Sequence, residues 1–473
     1  MKFYFWILIV AITATSCKND TDQTEGDYAF LGGEIINANN NFVVISKSKC
    51  ILDTIILDGK SRFVYKVENM HAGLYTFLHG GEIQMVLLEP NDSIMFRLNT
   101  LDFDESLVYT GIGAKKNNYL INEFLQNEIE EEKIFKYCQL LPDNYEKQVD
   151  SIKIYKLKKL ETFKKKYKTS DLFNKIAQAN IHYNYYFNKE IYPFVHYGKN
   201  KSKILESLPE NFYSYRKEIN YNDDFLKDYS NYNTFLRSNF NNIALNVHYE
   251  HAKDSIFNRT DLCYNLDRLK LVDSLVTNNT IKESLLYGYT IAYLTKNKNT
   301  EVNNILLKSY IAKSNNSSGK EMATRITSSL NNLVAGATIP EIKLINYKNN
   351  VLNINSIINS TTVISFWSHT YYEHFKESHY KIKELKAKYP EVKFVLINID
   401  TYGLEASTNS LKRNLFPFAN EYRFVNPKAS IEMLAIYPMT KALIIDNRKK
   451  IVNNNTNIFA INFEGQLLGL INR

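Results

Sequence analysis

The sequence predicts a multidomain α+β protein: a β-sandwich or barrel-like unit, then an α-helical unit, then an α/β unit. Three observations predict it. At 473 residues the chain is too long for one ordinary core. Nine of the sixteen glycines fall within 26–113, whereas 117–330 holds three glycines and three prolines, so turns crowd the start and thin out in the middle. From about residue 333 the pattern changes again, to alternating strand-like and helix-like runs. The units are therefore placed at 28–113, 114–332 and 333–473.

Ahead of them lies a different kind of segment. Lys2 is a short positive region, and FYFWILIVAI is an apolar run of about ten residues, too short to cross a bilayer. It ends at Ala14-Thr15-Ser16-Cys17, which resembles a lipobox, the small-residue stretch before a cysteine that takes lipid. Residues 1–16 are then a lipoprotein signal peptide, and 17–27 (CKNDTDQTEGD) a polar tether behind a lipid anchor on Cys17. The excess of 58 Lys+Arg over 50 Asp+Glu gives +8, too dilute for a nucleic-acid surface. No phosphate loop, zinc-spaced cysteine pair or HExxH stands in the chain, and no cofactor is expected. Cys50, Cys138 and Cys263 are scattered, with the default role of small buried hydrophobes.

Within 28–113, FVVIS (42–46), ILDTIIL (51–57), RFVYKVE (62–68), GLYTFLH (73–79), MVLLE (85–89) and SIMFRLN (93–99) read as strands. Asp58-Gly59, Gly80-Gly81 and Pro90-Asn91-Asp92 separate them as turns. The stretches GGEIIN, DTIILDGKSRFVY, GLYTF, LLEPNDSI and LDFDESLVYTGIGAKKN resemble a β-domain that precedes thioredoxin-like domains in bacterial envelope lipoproteins. That resemblance carries no catalytic role. Asp102, Asp104 and Glu105 read as a solvated acidic turn.

The middle unit reads as helices. Val149, Ile152, Leu160, Phe163 and Tyr167 share one face of a helix whose other face is filled by lysines. Such a helix can lie on a membrane, but in a multi-helix unit it faces a core. The aromatic run IHYNYYFNKEIYPFVHY (181–197) could bind a sugar or peptide; its helical spacing favours core packing.

In the last unit EIKLIN is a short strand, TTVISFW (361–367) and KFVLINID (393–400) are buried strands, and HFKESHYKIKELKAKYP is the helix between them. A second helix (LEASTNSLKRN) follows, then YPMT, the strand KALIID, a turn at Asn447-Arg448, the strand KIV and a helix around FEGQLLGLIN. The GATIPEIKL opening, the strand ending in Phe366-Trp367 and the YPMT loop before ALIID resemble the thioredoxin-like thiol–disulfide reductases of the bacterial envelope. The resemblance covers nearly the whole unit. It implies a cis Tyr437–Pro438 bond and a groove formed by Trp367, Tyr371, Tyr437 and Pro438, where redox members hold an extended peptide. Backbone N–H and C=O groups of Tyr437 are expected to be open to that peptide.

The resemblance also places the family's two cysteines on Tyr371 and His374. A phenol of pKa near 10 cannot attack a disulfide at neutral pH, and imidazole cannot resolve one, so the family's exchange chemistry is excluded. His369, His374 and His379 recur every five residues, the wrong step for ligands on one helix face, so no metal is expected there. Two classes of function remain. One is a redox-inactive envelope lipoprotein that binds a protein or peptide partner, on the outer membrane with a periplasmic or surface face. The other is an enzyme: a thioredoxin-family oxidoreductase using an external thiol, or one turning Tyr371 and His374 to other chemistry.

Overall fold

A computed structural model describes residues 28–48, 50–252, 256–297, 299–369, 371–401 and 404–471. Cys17, with the signal and tether expected around it, lies outside them.

The described residues begin with eight strands: β1 (Ala29–Ile36), β2 (Phe42–Lys47), β3 (Cys50–Ile56), β4 (Arg62–Val67), β5 (Gly73–His79), β6 (Glu82–Leu88), β7 (Ser93–Asn99) and β8 (Val108–Ile112). They form two four-stranded sheets, β4-β1-β7-β8 and β3-β2-β5-β6. Alternate residues of both, such as Leu31, Phe63 and Phe96 with Val43, Phe77 and Val86, point into one shared core. Phe77 and Phe96 stack across it with centroids 4.4 Å apart. β1 and β8 had no strand signal, because Gly32, Gly33 and Gly111 interrupt the branched pattern.

Among the described residues nine α-helices follow: α1 (Ala114–Tyr137), α2 (Pro142–Lys166), α3 (Asp171–Val195), α4 (Lys201–Glu206), α5 (Ser230–His251), α6 (Leu262–Leu275), α7 (Asn279–Leu294), α8 (Thr300–Lys313) and α9 (Ser317–Asn332). Asparagine, serine or aspartate caps many of their N-termini; Ser170 Oγ, for example, accepts from Phe173 N–H at the start of α3. On α2 Val149 and Leu160 are buried, but so is Lys156, which pairs with Glu130 at 2.7 Å. Lys156 stands seven residues after Val149 and four before Leu160, so this buried ion pair lies on the core-facing side of the helix itself. The aromatic run of α3 packs inward: Tyr186 stacks on Tyr215 at 4.3 Å and Tyr183 meets Phe235 at 5.3 Å. The buried Glu190 carboxylate accepts from Tyr215 Oη (2.7 Å), Arg216 Nε (2.9 Å) and Asn239 Nδ2 (2.6 Å) on Oε1 and from Arg216 Nη2 on Oε2, so each oxygen has a donor.

The last unit holds β9 (Lys343–Asn346), β10 (Val351–Asn353), β11 (Thr362–Trp367), α10 (Tyr372–Lys388), β12 (Lys393–Asn398), α11 (Leu404–Arg413), β13 (Glu421–Phe424), α12 (Pro427–Met433), β14 (Ala442–Ile445), β15 (Ile451–Thr456) and α13 (Phe463–Ile471). Its seven strands run in the order β10-β9-β13-β12-β11-β14-β15. β11, β12 and β13 are parallel, and β14 returns antiparallel to β11. Every residue of β11 is buried, because both faces of the sheet are covered. Ile364, Phe366, Val395, Ile397 and Leu443 face α7 and α9 through Leu294, Ile326 and Leu330. Val363, Trp367, Phe394, Leu396 and Ile444 face α10 and α13 through Phe375, Ile382 and Leu467. The α/β unit thus sits on the helical one through a continuous apolar layer, with Arg325 Nε 3.3 Å from Glu432 at its margin.

Candidate functional site

The register of β11 against β12 pairs Trp367 with Asn398, so the two parallel strands end side by side. Ligands of open α/β sheets bind at such carboxyl ends. Here the ends are tied together. Asp400 accepts the Ser368 hydroxyl, the His369 backbone N–H (2.9 Å), His369 Nδ1 (2.5 Å) and Asn398 Nδ2 (2.7 Å). Burial opposes the charge on Asp400, but these donors outweigh it and hold the carboxyl below the usual carboxylate range.

The chain then enters α10. Tyr371 is its N-cap residue, with the side chain 57% exposed and no capping bond from it. His374 lies one turn on, with Nε2 3.3 Å from Ser378 Oγ and its ring edge-on to Phe459 at 6.2 Å. Burial first, then the nearby His379, pushes the His374 imidazole below its ordinary value, so it is neutral at pH 7. Among the described residues no hydrogen bond or ring contact joins Tyr371 to His374. His379 turns inward: its Nδ1 is 2.7 Å from the Phe375 carbonyl, and its Nε2 is 3.3 Å from buried Glu421, which also accepts from Trp367 Nε1 at 3.1 Å. The three evenly spaced histidines therefore serve three different environments.

The fourth side is the loop before β14. The Tyr437–Pro438 bond is cis, and Pro438 is exposed. Two details differ from the expected groove. Trp367 is fully buried beneath α10, its ring tilted against Phe375 with centroids 4.8 Å apart, and so does not line an open surface. The Tyr437 N–H donates to the Ala435 carbonyl at 2.9 Å, and the Tyr437 ring leans on the apolar layer towards Met322, 4.0 Å from Oη. That N–H is closed to a partner. Under the loop lies Lys441, whose Nζ donates to the Leu434 and Ala435 carbonyls at 2.9 Å each. Tyr371, Pro438, Phe459 and the fully exposed Ile461 are open to solvent.

The sequence reading singled out Tyr371, His374 and Pro438 but did not pair Asp400 with His369, 31 residues apart. One signal could have found it. Two buried strands joined by a helix each end in polar residues (Ser368-His369 and Asn398 to Asp400), and parallel pairing sets such ends together.

No family model matches the chain, and no curated protein does. Solved structures do. One from Bacteroides vulgatus, described as a thiol–disulfide oxidoreductase, is 19% identical, covering 29% of this chain and 97% of that one, with a TM-score of 0.27. One from Chlorobium tepidum, described as a thiol:disulfide interchange protein DsbE, is 18% identical, covering 29% and 96%, with a TM-score of 0.25. The thioredoxin domain of another Bacteroides vulgatus oxidoreductase is 17% identical, covering 29% and 99%, also at 0.25. The thioredoxin-like fold of the last unit is read from its own strand order: a parallel trio, a helix leaving the central strand, and a cis-proline loop before the antiparallel β14.

Proposed function

We propose that the chain is a lipid-anchored protein of the bacterial cell envelope whose thioredoxin-like domain binds a protein or peptide partner without thiol chemistry. The observation that carries this reading is the pair Tyr371 and His374 at the start of α10. Neither group can enter disulfide exchange, and the described cysteines lie in other parts of the chain: Cys50 in β3, Cys138 after α1 and Cys263 in α6. Burial pushes the Cys138 thiol up to about 11, which leaves it inert at neutral pH. Cys50 and Cys263 are exposed, against the expectation that all three are buried.

What replaces chemistry is contact. Tyr371, Phe459 and Ile461 supply that contact in this reading: each is a large side chain that the molecule itself leaves uncovered, with Tyr371 suited to an amphipathic surface. With the Tyr437 N–H already used, recognition rests on these side chains more than on strand pairing along the loop. The test is a photo-reactive residue placed at 371 in the envelope, with Ile461→Asp as the competing change. The reading expects a discrete cross-linked partner that fades at least tenfold in Ile461→Asp protein. An adduct pattern unchanged by Ile461→Asp, or adducts to lipid alone, contradicts it.

A further inference from the structure

Within the helical unit, the last turn of α5 and the first turns of α6 bring four ligand-type side chains together. His248 and His251 are three residues apart on α5, and Cys263 and Asp267 four apart on α6, so each pair lies on one helix face. The two helices pack against each other, and one ligand atom from each of the four residues falls within 4.8 Å of the others. His251 stands in the middle: Nδ1 is 3.7 Å from Cys263 Sγ, and Nε2 is 2.8 Å from Asp267 Oδ2. His248 Nδ1 is 3.9 Å from the same carboxylate oxygen.

We propose that His248, His251, Cys263 and Asp267 bind a divalent ion of the zinc class and clamp α5 to α6. Two imidazoles, a thiolate and a carboxylate form a borderline-soft set that suits Zn²⁺ and disfavours Ca²⁺ or Mg²⁺, which take oxygen ligands. With bonds of about 2.0–2.3 Å, the ligand atoms of a tetrahedral zinc site stand roughly 3.3–3.8 Å apart. The Cys263–His251 separation of 3.7 Å already has that value, and the 3.9 Å between His248 and Asp267 is close to it. Small side-chain rotations close the set. On binding, the Cys263 thiol proton passes to solvent and the sulfur bonds the ion as thiolate. The ligands come from different helices, twelve to nineteen positions apart (His251 to Cys263, His248 to Asp267), so none of the usual short spacings marks them. Cys263 and His251 are exposed, which gives the ion a path in. The site is independent of the partner-binding reading, and either can fail without the other.

The experiment uses the mature chain, purified without a histidine tag, treated with a chelator, dialysed and kept under a phosphine reductant. Titration with Co²⁺ is expected to saturate at one equivalent. It should produce a thiolate-to-metal band in the near ultraviolet and strong visible bands of a tetrahedral ion, both erased by Zn²⁺. Cys263→Ser should remove the near-ultraviolet band, whereas Cys50→Ser should keep it. Asp267→Asn, with circular dichroism matching the parent, should weaken binding roughly ten- to hundredfold. Zn²⁺ should raise the Tm of the parent and not that of Cys263→Ser. A parent chain without the thiolate band, or a band that survives Cys263→Ser, overturns the proposal.

Discussion

Lys441 is 2% exposed, and burial pushes its ammonium down to about 7. In the unfolded chain a lysine titrates near 10.4. Between those values the unfolded state holds a proton that the folded state lacks, so stability rises with pH across the window and levels off below about 7. The neutral amine still donates to the Leu434 and Ala435 carbonyls, so the loop before β14 keeps its support. Replacing Lys441 with Met removes the titration. Urea unfolding between about pH 7 and 9 should therefore show the parent gaining on Lys441→Met by up to ~1.4 kcal/mol per pH unit. Parallel profiles would mean that the ammonium stays charged inside the fold. At this scale the sequence displayed residue types but not environments. Tyr371 and His374 were visible because they replace a known cysteine pair. Lys441 sits among TK-A-L-I-I with nothing to mark it as buried, and the partner of His369 becomes apparent only once β11 and β12 are aligned.

Elements were legible where the side-chain pattern alone decides them. TTVISFW became β11, EIKLIN became β9, and the helix before Pro390 became α10, because both faces of that sheet need apolar residues. β1 was missed for a physical reason. It is the strand next to both β4 and β7, and its glycines let the neighbours close in. A Cβ at Gly32 would stand 2.7 Å from the Phe63 carbonyl oxygen, and one at Gly33 2.7 Å from the Phe96 ring. The backbone oxygen cannot step aside as a side chain can. Gly32→Ala is therefore expected to cost about 1–3 kcal/mol by overpacking. Gly59→Ala, with no atom within 4 Å of the added carbon, should lie within about 0.5 kcal/mol of the parent. Denaturant midpoints of the two variants check this; equal midpoints would mean that the sheet relaxes around the new methyl.

Over the whole molecule, three regions of different composition give three packed regions, and apolar layers join them: Leu87 of β6 enters the helical core, and Leu294 and Ile326 enter that of the α/β unit. Such continuity could not be read from the chain, since it depends on which exposed face of one unit meets which face of another. None of the described helices is long and apolar enough to cross a membrane. The membrane attachment proposed above rests on Cys17, which lies outside the described residues. A Cys17→Ser protein should move from the membrane to the soluble fraction, and mass spectrometry should find diacylglyceryl lipid on residue 17 of the parent. An unmodified exported N-terminus would contradict the anchor.

The central claim, binding without thiol exchange, is tested most directly by insulin-disulfide reduction with the purified chain, run beside a Cys50→Ser/Cys138→Ser/Cys263→Ser triple variant. The account predicts no turnover above the dithiothreitol background for either protein, because Tyr371 and His374 supply neither an attacking nor a resolving sulfur. Turnover by the parent that disappears in the triple variant would contradict it, by showing that one of the remote thiols reaches a substrate disulfide.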